Sequence, residues 1–211
     1  MFDSETIGKI LSSAIPREFL LSFVEYAANG SARAMAAGAD ANPGHRAGVV
    51  GHNRHFNIQE ALYAAFKDYG ISCGLLRSNC VLVGQLSKVR LARVHMNNSR
   101  WDNSRRSKAK LELCEHNRVL REAMQRDFFL GPPSEPTQVT AFLVTQGNAT
   151  DGSSMFLVVP DDAMDLRNPI FTESIPLFVQ RYATTVSQTD TAKPTLKKGV
   201  KHISEDGEEK K

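Results

Sequence analysis

Eight basic side chains are concentrated in one short stretch of this sequence. Lys88, Arg90, Arg93, Arg100, Arg105, Arg106, Lys108 and Lys110 lie between positions 86 and 110 against Asp102 alone, a net charge of +7 within a chain whose total is +3. Guanidinium forks match the oxygens of a phosphate in pairs, and lysines add point charge. Trp101, the only tryptophan, sits inside the run and can either stack on a nucleobase or close the core. Clustered Lys and Arg of this kind point to a nucleic acid or another polyanion. The competing readings are a solvated, salt-bridged surface and a docking face for an acidic protein.

A second group of residues can do acid–base chemistry. His52 and His55 are three apart, His95 lies within the basic run, and Asp161, Asp162 and Asp165 follow an apolar segment. With Glu60 they define the alternative reading, a nuclease or other phosphoester hydrolase. A helix bearing Glu60 followed by a hairpin is similar to the opening of the restriction-endonuclease-like nucleases. That family's strand pair would carry an Asp and then a Glu-x-Lys, whereas Val83-Gly84-Gln85-Leu86-Ser87-Lys88 holds neither carboxylate, so the likeness is one of architecture. The paired histidines lack the HExxH arrangement, and phosphate-loop, dinucleotide, nucleophile-elbow and paired CxxC motifs are absent. Neither a metal nor a cofactor is expected.

These side chains need elements to hold them. Ser4 to Ala28 reads as two helices divided by Pro16, because Ile7, Ile10, Leu11 and Ala14, then Phe19, Leu20, Phe23, Val24 and Ala27, recur at helical spacing. Residues 29–51 carry few large apolar side chains and include Asn42-Pro43-Gly44, which predicts a flexible loop, with a short Ala-rich helix as the alternative. A helix is predicted from Asn57 to Tyr69, with a capping-box start and Gly70 as its stop. Leu75 to Leu86 and Val89 to Met96 are predicted to form a hairpin turning at Ser87-Lys88, with Arg90, Arg93 and His95 on one exposed basic face.

A long helix from Arg105 to Phe128 is predicted next, with Ala109, Leu113, Leu120 and Met124 inward. It would place Arg105, Arg106, Lys108 and Lys110 at its start, where cations oppose the helix dipole and an anion would offset them. A second hairpin, Val139 to Thr145 with Met155 to Val159, is apolar at nearly every position and so central. The last element is a helix from Thr172 to about Val186, with Ile175, Leu177, Phe178 and Tyr182 inward.

This order predicts one α+β domain over residues 1–186, a mostly antiparallel sheet built from two hairpins and covered by helices. The charged tail 187–211 offers almost no apolar area and is predicted to be disordered. No apolar run approaches the roughly 20 residues of a membrane span. The start, Met1-Phe2-Asp3-Ser4-Glu5, does not read as a secretory signal. Three cysteines, Cys73, Cys80 and Cys114, do not suggest a disulfide framework, so a cytoplasmic setting is expected.

Overall fold

The computed structural model describes residues 3–76, 81–96, 107–125, 136–147 and 154–184. The predicted tail, with Cys80, Arg100, Trp101, Arg105 and Arg106, lies outside them.

Six strands form one sheet in sequential order: β1 (Ser72–Leu76), β2 (Val81–Leu86), β3 (Val89–Met96), β4 (Val139–Gln146), β5 (Met155–Val159) and β6 (Phe171–Ser174). Every neighbouring pair is antiparallel except β3 and β4, which run parallel over their whole length from Val89↔Val139 to Met96↔Gln146. The fold is therefore α+β, as the sequence predicts. Two three-stranded meanders, rather than two hairpins, build the sheet, joined through one parallel pair. Such a pair needs a crossover, and the segment between β3 and β4 supplies one through α4 (Lys108–Cys114), a 3₁₀ turn (Glu115–Asn117) and α5 (Arg118–Gln125).

The expected β2–β3 turn is present, with Ser87 at φ 50°. The segment read as one strand from Leu75 to Leu86 is instead two, β1 and β2, paired from Ser72↔Gln85 to Leu76↔Val81. Likewise Phe171–Ser174 pairs with β5 as an edge strand before α6 (Ile175–Thr184) begins, so the final helix starts later than its pattern implied. Ile175 and Phe178 of α6 are buried, but Leu177 is exposed.

The largest correction concerns residues 29–51. No flexible loop occupies them: α1 (Ser4–Ala14) is followed by α2 (Arg17–Ala39) and α3 (Arg46–Asp68), and only a short turn separates the latter two. In that turn Asn42 Oδ1 accepts from the Gly44 amide at 3.0 Å. The small residues are what let the helices close. A Cβ on Gly38 would stand 2.2 Å from Val50 Cγ2, and one on Gly30 would stand 3.0 Å from the Asn57 carbonyl oxygen. Buried Ala34 and Ser31 complete the seam. Asn57, expected to cap a helix, is in mid-helix and donates to the Gly30 carbonyl at 3.0 Å. Gly70 does stop α3, at φ 62°.

The predicted long helix is also broken. Asn117 interrupts it, fully buried, donating to the Thr140 and Pro160 carbonyls at 2.9 and 2.8 Å and accepting from the Thr140 amide at 2.8 Å. Ala109, Leu113 and Leu120 are buried as expected, whereas Met124 is exposed.

Strand alternation sorts the core into two layers. On one face Leu91, Ala141, Leu143 and Leu157 meet Ile7 and Leu11 of α1, Phe19 and Phe23 of α2, Ile58, Leu62 and Phe66 of α3, and Phe178 of α6. On the other, Ala92, Val94, Phe142, Val144 and Val158 meet Leu113 and Cys114 of the crossover, with Met164 and Leu166. β4 is buried on both faces, as predicted for a central strand.

Candidate functional site

The period of two along β3 decides how the basic residues are distributed. Arg93 shares the parity of Leu91 and points to the face covered by α3; Arg90 points to the other. The single basic strand face is thus divided. Arg90 sits against the crossover, donating from Nη1 to His116 Nε2 at 2.8 Å and from Nε to Gln85 Oε1 at 3.4 Å. His95 is on the Arg93 side and its Nδ1 lies 3.0 Å from Thr145 Oγ1 of the neighbouring parallel strand.

Arg93 is 6% exposed. Its Nη2 donates to the His55 carbonyl at 3.1 Å and faces His55 Nδ1 at 3.3 Å, and its Nε reaches Gln59 Oε1 at 3.4 Å. Nη1 is buried without a partner among the described residues. A guanidinium can only donate, so His55 Nδ1 accepts and the ring proton is on Nε2. Arg54, one residue before His55, is buried at 9% exposure on the same helix. It reaches the Gly147 carbonyl from Nη1 at 3.4 Å and Met35 Sδ from Nη2 at 3.5 Å, and its Nε has no partner. Gly147 follows β4 and its amide bonds the Met96 carbonyl at the end of β3. The two arginines therefore belong to α3 and β3 where α3 crosses the carboxyl-terminal half of the parallel pair.

Neither arginine meets a carboxylate among the described residues, and the same is true of Lys110, half-buried on α4. Burial without a counter-charge disfavours the charged form of each. It holds the Arg93 guanidinium down to about 10 and lowers Arg54 as well. Lys110 is lowered first by burial and then by Arg93. His55 is lowered by burial and then by Arg93, His52 and Lys110. Arg93, His55 and Lys110 thus feel one another's charge, whereas Arg54 is lowered by burial alone.

Beside them, Phe56 is 58% exposed, the most exposed large apolar side chain among the described residues. Its ring meets those of His52 and His55 at centroid distances of 5.2 and 5.5 Å, inclined by 71° and 72°. Phe56 precedes the predicted helix start at Asn57, so spacing along the sequence gives it no signal. Arg54 offered no signal beyond its place between two histidines.

The other predicted residues do not join this cluster. Lys108 is exposed at the start of α4, and that helix holds only seven residues, too short for the anion-binding N-terminus expected of a long one. Asp161 Oδ1 accepts from the Asp165 amide at 2.8 Å, and Asp165 Oδ1 from the Arg167 amide at 2.9 Å. Asp162 pairs with Arg121 at 2.7 Å and Arg118 at 3.5 Å. Asp161 and Asp162 act on Cys114 in the second core layer, and burial and their charge push its thiol up to about 12. They lie across the sheet from His55. Glu60 is paired with Arg33 at 2.9 Å on the exterior. β2 and β3 carry no carboxylate at all, and no three His, Cys, Asp or Glu side chains converge as metal ligands among the described residues. No described helix is long and apolar enough to cross a membrane.

Comparison with models of protein families, with curated proteins and with solved structures finds no match. The functional reading rests on the geometry of the site.

Proposed function

We propose that this chain is an intracellular, nucleic-acid-associated protein that binds phosphate at Arg54 and Arg93, where α3 crosses the sheet. The observation that carries the reading is Arg93: a guanidinium nine-tenths buried, with one nitrogen unpartnered and no carboxylate beside it among the described residues. Burying a charge costs several kcal/mol unless a counter-charge compensates it. An oxyanion at the rim of the site supplies that charge, and a phosphate oxygen matches a guanidinium better than any neutral ligand does. His55, with its proton on Nε2, adds a donor. Arg100, Arg105 and Arg106, which lie outside the described residues, follow β3 in the sequence.

Hydrolysis is the weaker reading, because the histidines on α3 and the carboxylates after β5 occupy opposite sides of the sheet. Fluorescence anisotropy with labelled oligonucleotides tests the proposal. Affinity should fall steeply between roughly 50 and 200 mM salt. Arg93→Met should weaken binding and reduce the logarithmic salt slope by about 0.7 for a lost phosphate contact on a single strand. Undetectable binding at low salt, or binding that ignores Arg93→Met, refutes it.

A further inference from the structure

We infer that Phe56 is a base-stacking platform and that the ligand of the basic cluster is single-stranded nucleic acid, an inference that rests on the phosphate-binding reading above. The core-facing stripe of α3 is Ile58, Ala61, Leu62, Ala65 and Phe66, all buried, and Phe56 stands off that stripe. Nothing in the packing of α3 requires an aromatic ring there. Its neighbours one turn on are Gln59 and Glu60, both polar. Yet the ring is not loose: His52 and His55 brace it, and neither imidazole lies parallel to it.

The braced ring is tied directly to the charge. His55 touches Phe56 with its ring and meets the Arg93 guanidinium through its own Nδ1 and carbonyl. One residue therefore joins an exposed aromatic face to a buried, uncompensated cation. A nucleotide has the complementary pair of features, a flat base and an anionic phosphate. Basic grooves interleaved with aromatic platforms are how sequence-tolerant single-strand binders work, because every base has a π-face. In a duplex those faces are hidden in the stack, so a platform selects unpaired bases. The polar rings around Phe56 also disfavour a purely apolar partner, which would desolvate the His52 and His55 imidazoles.

The test uses the full chain and three fluorescein-labelled probes of about 20 nucleotides, an oligothymidylate, an RNA of the same length and a duplex. Phe56→Ala should weaken both single strands by roughly 5- to 150-fold, the range for loss of one stacked base. Phe56→Trp should retain affinity, and the salt slope should be unchanged, since stacking releases no counterions. Duplex binding should respond little to either substitution. Unchanged single-strand affinity in Phe56→Ala, with Arg93→Met still defective, overturns the platform while leaving the phosphate site standing. An equal loss on duplex and single strand also overturns it. Sedimentation showing a wild-type dimer that Phe56→Ala dissociates would assign the ring to self-association instead. Failure of the wild-type protein to bind any probe removes the underlying reading together with this one.

Discussion

Replacing Arg93 by methionine separates a functional cation from a structural one. Burial holds the guanidinium at about 10 against an ordinary 12.5, which corresponds to a desolvation cost of about 3 kcal/mol. Against this stand three hydrogen bonds of 3.1, 3.3 and 3.4 Å. Bonds to a charged group contribute about 1.5–3 kcal/mol when well formed, and these are longer than the usual 2.7–3.2 Å range or at its upper end. These long bonds offset only part of that cost, and Nη1 is left without a partner among the described residues. Arg93→Met should therefore change stability by no more than about 1.5 kcal/mol, a Tm shift within about 5 °C for a domain of this size.

Its response to ligand should differ much more. Inorganic phosphate at about 100 times its Kd should stabilise the wild-type protein by about 2.7 kcal/mol, or about 5–10 °C in Tm, and should do so far less in Arg93→Met. Scanning calorimetry of both proteins across a phosphate series, with sodium chloride matched for ionic strength, reads this difference. The general stabilisation by phosphate cancels because both proteins experience it. Unfolding of Arg93→Met by more than about 4 kcal/mol would show that its bonds outweigh its desolvation. Equal phosphate stabilisation in the two proteins would show that no anion depends on it.

Other perturbations check the framework around the site. Arg181 fixes α6 through Glu173, at 2.7 and 3.2 Å, and α1 through Glu5, at 2.7 Å, with Glu173 only 11% exposed. Arg181→Met strands the Glu173 charge and should cost about 2–3 kcal/mol in urea unfolding, whereas a loss below about 0.5 kcal/mol would contradict the bridge. Asn117→Ala orphans the buried Thr140 amide and two carbonyls; about 2–4 kcal/mol should be lost, visible as a lower midpoint at an unchanged slope. His55 and His116 each accept from a guanidinium and are lowered in the folded state, by burial first and then by Arg93 or Arg90. The unfolded chain thus binds more protons as pH falls through the ordinary value of 6.5, and stability should be flat above that pH and decline below it. Urea titrations from pH 7.5 to 5.5 should show that decline, flattened in a His55→Gln, His116→Gln double variant; a midpoint that rises on acidification would reverse the assignment. A bound anion should raise His55, so phosphate affinity should increase over the same acid range.

Much of the fold was legible where local pattern and burial agree. The apolar spacing of Ile7, Leu11, Phe19, Leu20 and Phe23 announced α1 and α2, Gly70 announced the end of α3, and the continuous apolar runs of β4 and β5 announced central strands. Residues 29–51 misled because Gly and Ala look like loop composition but also allow close helix packing, and only a partner helix distinguishes the two. Phe171–Ser174 misled because an edge strand of four residues runs straight into a helix without a break in polarity.

The basic run, with its total charge and its histidine neighbours, belongs to the sequence alone, since charge is carried by residue type. Positions 90 and 93 differ in parity, so grouping Arg90 with Arg93 and His95 on one basic face overlooked the period of two along β3. What tertiary structure decided is which side received α3. The parallel pairing of β3 with β4 and the crossing of α3 over their ends brought Arg54 to Gly147 and Arg93 to His55, contacts spanning 93 and 38 residues. Periodicity is a short-range property of a chain. Whether a buried cation has a counter-charge depends on segments that meet only after folding, and in this protein none of the described segments brings a carboxylate to Arg93.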